Sequence, residues 1–239
     1  MYGGPVDAQG RRIGVQGGVM PGSEIAWIGD YMPSATREPQ YVAFMTSFFK
    51  HAGFDPSPPA TWRLADIDFE RDRQRLGSAE FAYNAQNPDL REFKQRGGKL
   101  IGFQGWGDTS VVPLGSIDYY DTVSRVMGGL DKTSDFYRLF LVPGMRHCSG
   151  DGDGGDVIDM LSALEAWVER AQPPDALVGQ NFERRGPMVS TPVFPLPADQ
   201  VRLSRVHFPY PFEARYKGSG DPSDPRNWDK VPGLPPALP

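Results

Sequence analysis

Two short apolar runs, each closed by a Gly- or Pro-containing turn and separated by a helical pattern, restrict the centre of this chain to one kind of architecture. The first run, Lys99–Gln104, follows Gly97-Gly98 and ends at Gly105-Trp106-Gly107-Asp108. The second, Phe136–Val142, ends at Pro143-Gly144. Between them Ile117, Tyr120, Val123 and Met127 recur at helical spacing, and Gly128-Gly129 stops the pattern. Runs this short and continuous suit strands buried on both faces. A second helix is expected after them, capped by Asp156, with an apolar stripe of Val157, Met160, Leu161, Leu164, Trp167 and Val168 that Pro173-Pro174 ends. Strand, helix, strand, helix predicts an α/β unit of a mostly parallel sheet.

The flanks read differently. Residues 1–95 are irregular with helical patches and poor in strands. Tyr41, Phe44, Met45, Phe48 and Phe49 are spaced for a helix that Gly53 and the Pro56/Pro58/Pro59 cluster stop. The charged stretch Phe69–Leu76 predicts a second, solvated helix. Residues 179–239 are Pro-rich with weak periodicity and predict a tail wrapping the surface. The formal net charge is -5 with both signs mixed, and no basic run tracks phosphates, so nucleic acid is not an expected partner. Apolar runs of a few residues do not make a membrane span, and no charged n-region with an apolar h-region opens the sequence.

Ligands of open α/β sheets gather at the carboxyl ends of the strands. Asp108 and His147 both fall there. Taken singly, Asp108 is equally a turn residue or helix cap, and His147 a polar loop residue. Their joint placement favours an acid–base pair in which a carboxylate fixes the imidazole tautomer. In α/β-hydrolases the members follow the order Ser, then Asp or Glu, then His, and Asp108 followed by His147 is the second half of that order. The first member is missing: no Gly-x-Ser-x-Gly occurs in the 239 residues. Ser23, Ser78 and Ser116 lack the strand–elbow–helix context, and Ser116 is expected to cap the helix that follows it. Cys148 is the single cysteine. It reads as a free thiol, an intermolecular bond or a half whose partner is lost; composition alone favours a buried or half-buried thiol. As a nucleophile it is poorly placed, because adjacent side chains point apart. Asp151-Gly152-Asp153-Gly154-Gly155-Asp156 resembles the start of a calcium loop but has Gly155 and Ser162 where ligands belong. A flexible acidic turn leading into a helix cap is the better reading. No His/Cys cluster has zinc spacing, so no metal or cofactor is expected in this chain.

These residues also carry a resemblance. Arg96–Ile101, Gly105-Trp106-Gly107-Asp108, Ile117–Tyr120 and Phe136–Cys148 closely resemble the tannase and feruloyl esterase family of serine esterases. Ala166–Glu169, Pro174-Asp175, Pro209-Tyr210-Pro211 and Ala214–Asp221 extend the match. Upstream, Tyr2–Pro5, Gly22-Ser23-Glu24 with Trp27, and Asn87–Leu90 look like the later part of that family's lid.

The resemblance implies a partial α/β-hydrolase fold: residues 1–95 as the later part of a lid, 96–178 as the last strands and helices of the catalytic domain, and 179–239 as the tail. It implies that Asp108 is the triad acid, His147 the general base, and Cys148 one half of a disulfide to a cysteine beside the nucleophilic serine. Serine and second cysteine would belong to an N-terminal hydrolase segment, and a structural calcium loop would lie upstream of Tyr2. The implied substrate is a small ester of a hydroxylated aromatic acid. Trp27, Phe48, Phe49 and Trp62 are candidates to line its acyl pocket, or are core. The complete enzyme would be secreted or periplasmic, and this chain alone inactive. Two departures stand out. Phe208 and Trp228-Asp229 occupy positions where the family typically has a second cysteine pair. Gln104 replaces a frequent histidine, a change expected to have little effect. The absent nucleophile leaves two other readings, a non-catalytic homologue serving as a binding module and one half of a split esterase.

Overall fold

The structure, a computed structural model, describes residues 6, 9–11, 18–148, 150, 152–182, 194 and 197–233. Tyr2–Pro5, Ser149 and Asp151, which figure in the sequence motifs, lie outside the described residues. The chain forms two compact units, residues 1–87 and 88–239. The division falls upstream of the expected change at residue 96 because α5 (Arg91–Gln95) belongs to the second unit. There Phe93 packs on Phe136 at 6.3 Å and Lys94 Nζ donates to the Lys132 carbonyl at 2.6 Å.

Among the described residues of the first unit no strand forms a ladder; its helices are α1 (Trp27–Asp30), α2 (Gln40–Phe48), α3 (Phe69–Asp72) and α4 (Gly77–Tyr83). The helix expected from the Tyr41/Phe44/Phe48 spacing is α2, prolonged by a wider turn over Phe49–Gly53. Phe54 and Trp62 are buried, with Phe49 stacked on Phe54 at 4.8 Å and Trp62 edge-on to Phe54 at 5.7 Å. The charged helix predicted over 69–76 breaks into α3 and a 3-10 turn, and is not wholly solvated. Asp72 is 1% exposed, and hydrogen bonds from Arg71 and Arg75 hold its carboxyl far below the usual carboxylate range.

In the second unit the expected unit is present as β1 (Leu100–Gly105), α6 (Pro113–Met127), α7 (Leu130–Ser134) and β2 (Tyr137–Val142). β1 and β2 pair in parallel, Leu100 opposite Tyr137 through Gly105 opposite Val142. α6 begins at Pro113, whose fixed φ suits a first helical position, and ends at Gly128 in the left-handed region with φ 92°. Ser116 therefore lies inside the helix rather than capping it. Tyr120, Val123, Leu139, Phe140 and Val142 are almost fully buried and form the core between helix and strands.

The segment after β2 departs from expectation in two ways. Val157 and Ile158 form the short strand β3, so α8 (Met160–Arg170) is capped by Asp159, which accepts from the Ser162 amide at 3.0 Å. Asp156 is buried upstream and accepts from the Gly152 amide at 2.9 Å. Trp167 is buried with Met160 and Leu164 half-buried, whereas Leu161 and Val168, one position round the helix, are exposed. The tail expected from residue 179 is instead partly sheet. β4 (Leu177–Phe182) pairs antiparallel with β3 and with β5 (Val201–His207), and β6 (Phe212–Tyr216) forms a hairpin with β7 (Trp228–Pro232). Among the described residues the parallel pairing of strands is thus confined to β1 and β2. The alternation in β4 escapes a hydrophobicity reading because two of its three buried positions are Gly179 and Asn181.

His207 ends β5 in a buried position, with its Nε2 2.7 Å from the carbonyl oxygen of Gly155. Burial pushes its pKa below the ordinary 6.5, so the native state holds it neutral with Nε2–H donating. As pH falls below that ordinary value the unfolded chain takes up the proton first, and stability falls toward the depressed native pKa. Thermal unfolding at about pH 5 should therefore begin at a lower temperature than at about pH 7.5. His207→Gln, which keeps an N–H donor and does not titrate, should shrink that difference.

Candidate active site

The turn after β1 and the turn after β2 are stitched together by main chain. Trp106 N–H donates to the Val142 carbonyl at 3.1 Å, and Gly107 N–H to the Met145 carbonyl at 3.0 Å. The approach is close enough to require glycine. A methyl group on Gly105 would overlap the Arg146 carbonyl oxygen and lie 2.8 Å from that of Met145. Neighbouring strands and this contact together deliver Asp108 and His147 to the same place.

Asp108 is 3% exposed. Its Oδ1 accepts the backbone amides of Ser110 at 2.7 Å and Val111 at 3.0 Å, a turn that fixes the carboxylate relative to its own loop. His147 Nδ1 lies 3.0 Å from Oδ2 and 3.2 Å from Oδ1. A carboxylate accepts only, so Nδ1 carries a proton, and in the neutral ring the lone pair is left on Nε2. The imidazole side chain is half exposed while the carboxylate beneath it is buried. This geometry suits proton abstraction from a group arriving on the open side.

Gln104, the position expected to matter little, is buried beside the acid. Its Nε2 lies 3.2 Å from Asp108 Oδ2 and 3.0 Å from the Val111 carbonyl, and its Oε1 accepts from Ser116 Oγ at 2.7 Å. Residue type and spacing gave no signal of this, since it depends on where α6 crosses β1.

The loop that carries His147, the base expected from the sequence, has a backing of its own. Asp153 and Gly154 amides donate to the Gly144 carbonyl at 3.0 and 3.3 Å, and Asn181 Nδ2 donates to the carbonyls of Gly152 and Gly154 at 3.1 and 2.9 Å. The acidic turn is thus tied down rather than loose. A methyl on Gly152 or Gly154 would overlap the carbonyl oxygens of Gly144 or Pro143. Cys148 is exposed, next to His147, with a free thiol. A cavity of about 450 Å³ lies in the same unit, lined by Trp106, Leu141, Phe208, Tyr210, Phe212 and Trp228 among others; neither Asp108 nor His147 lines it.

Of the lid candidates, Phe48, Phe49 and Trp62 belong to the aromatic cluster of the first unit, where Phe48 meets Phe49 at 5.4 Å and Trp62 meets Phe49 at 6.2 Å. Trp27 is half-buried and its Nε1–H donates to Ser23 Oγ at 3.1 Å.

Comparison with known proteins decides the family. The family model described as tannase and feruloyl esterase matches residues 11–231. The chain belongs to the tannase and feruloyl esterase family. It is 36% identical over 208 residues to a mono(2-hydroxyethyl) terephthalate hydrolase of Piscinibacter sakaiensis, covering 82% of this chain and 32% of that protein. It is 35% identical over 147 residues to a probable feruloyl esterase of Arthroderma benhamiae, covering 61% of this chain and 25% of that one. Feruloyl esterase B from Aspergillus oryzae superposes with a TM-score of 0.72 at 24% identity, over 96% of this chain and 44% of its own. The fold is accordingly α/β, shared with feruloyl esterases, and the chain spans a quarter to under half the length of these relatives.

Gly105→Ala should separate the two family loops. The expected result is a loss of about 3 kcal/mol in unfolding free energy, from overpacking against main chain that cannot rotate away. Chemical denaturation measures it, and a Gly77→Ala control, at φ -51° with nothing within 4 Å of the added methyl, isolates the packing contribution from the backbone one.

Proposed function

We propose that this chain carries the acid and base of a serine carboxylic ester hydrolase acting on esters of hydroxylated aromatic acids. The nucleophilic serine is supplied by a hydrolase segment outside the 239 residues. The observation that supports this reading is the buried Asp108 carboxylate on Nδ1 of a half-exposed His147, in a chain of an esterase family and without a Gly-x-Ser-x-Gly of its own.

In this reading His147 Nε2 takes the serine proton as the hydroxyl attacks the ester carbonyl, then returns it to the departing alcohol oxygen. Water then attacks the acyl-enzyme, giving up a proton to the same nitrogen, which passes it to the departing serine oxygen as the aromatic acid is released. Asp108 keeps Nδ1 protonated and offsets the positive charge that forms on the ring. Cys148, exposed beside the base, forms a disulfide with a cysteine next to the serine and clasps the two loops. Residues 1–95 serve as the later part of a lid, with the half-buried Trp27, Phe48 and Phe49 as its candidates for contact with an aromatic acyl group.

The test uses methyl ferulate and methyl gallate. The 239-residue chain alone should give no turnover, since losing the nucleophile costs on the order of a millionfold in kcat. Adding a nucleophile-bearing N-terminal segment of a family esterase, fused or co-expressed, should bring hydrolysis that His147→Ala and Asp108→Asn abolish. Turnover by the unaided chain that His147→Ala removes would place the nucleophile within it. A folded fusion that stays inactive favours the non-catalytic homologue.

A further inference from the structure

The two oxygens of Asp108 are held by different parts of the molecule. Oδ1 is a pivot, fixed by the amides of Ser110 and Val111 within its own loop. Rotation about that pivot would swing Oδ2, the nearer oxygen to the imidazole nitrogen at 3.0 Å, and leave Nδ1 with the longer contact to Oδ1 at 3.2 Å. Against this swing stands Gln104, whose Nε2 donates to Oδ2 at 3.2 Å. The same nitrogen donates to the Val111 carbonyl at 3.0 Å and lies 3.2 Å from the Gly105 carbonyl. It thereby ties Oδ2 to the residue whose amide holds Oδ1.

A carboxamide has a donor end and an acceptor end, and only one orientation serves. Three acceptors surround Nε2, so a flipped amide would set its oxygen against three other oxygens. Ser116, in the first turn of α6, selects the working orientation by donating its hydroxyl to Oε1 at 2.7 Å. Being neutral, the amide gives Asp108 a hydrogen bond without a competing charge, so the carboxylate remains the anionic partner of the ring.

We propose that Gln104 and Ser116 form a positioning relay that sets the Asp108 carboxylate and, through it, the tautomer of His147. The proposal rests on the reading of Asp108 and His147 as acid and base. The helix α6 thus controls the catalytic pair without touching it.

The test is nitrogen-15 NMR of the imidazoles in the full 239-residue chain, above the pKa of His147, where ring shifts report the fraction protonated at Nδ1. The wild-type ring should be mostly Nδ1–H. Gln104→Met, close in volume but without a donor, should lower that fraction by about half as Oδ2 is released. Ser116→Ala should shift it in the same direction by less, and should add nothing in the Gln104→Met background. An unchanged tautomer in both single variants, or full additivity in the double variant, overturns the relay. If Gln104→Met does not fold, Ser116→Ala decides alone, because its hydroxyl reaches Asp108 only through Gln104. A wild-type ring with no Nδ1–H preference instead sinks the acid–base reading on which the proposal stands.

Discussion

The meeting of Asp108 and His147 depends on a main-chain contact between two turns. The hydrogen bonds from Trp106 to Val142 and from Gly107 to Met145 continue the β1–β2 ladder past the strand ends, so the turns inherit the register of the strands. Side chains can drift by changing rotamer, whereas backbone paired in this way moves only if the sheet does. The Asp108–His147 distance is therefore a property of the fold. Gly105 is its condition, because a larger residue would stand between the turns.

The rest of the second unit supports this junction from outside. β3, β4 and β5 place Asn181 and Gly155 behind the base loop, and His207 closes the last gap by bonding to Gly155. The segment after β5 lies along β2, with Tyr210 N–H donating to the Leu139 carbonyl at 2.7 Å. That segment covers a strand edge that would otherwise expose unpaired groups. A stretch rich in proline is well suited to lying beside an edge, where few of its own amides are needed.

The legible parts of the fold were those written in side-chain type. β1, α6 and β2 showed themselves through apolar spacing and glycine stops, and Asp108 and His147 through their position after strands. The illegible parts rest on main chain or on contacts distant in sequence. β4 shows no hydrophobic alternation because glycine and asparagine face inward, glycine for close approach and asparagine to bond carbonyls of the base loop. Asp156 and Asp159 are equally good caps by composition; the two-residue strand between them decides, and it exists only by pairing with Gly179 and Gln180. Gln104 looked like an indifferent substitution because its use is set by Ser116, a residue that itself looked like a helix cap.

The close approaches of Gly152 to Gly144, of Gly154 to Pro143 and of Gly179 to Gly155 have a consequence for how such a protein diversifies. Each contact is backbone against backbone, so no second change elsewhere can make room for a side chain at either partner. This region is frozen as a block. Variation within the second unit must then enter through surfaces that do not share these contacts. The packing around Asp108 and His147 and the surfaces away from it are free to evolve at different rates.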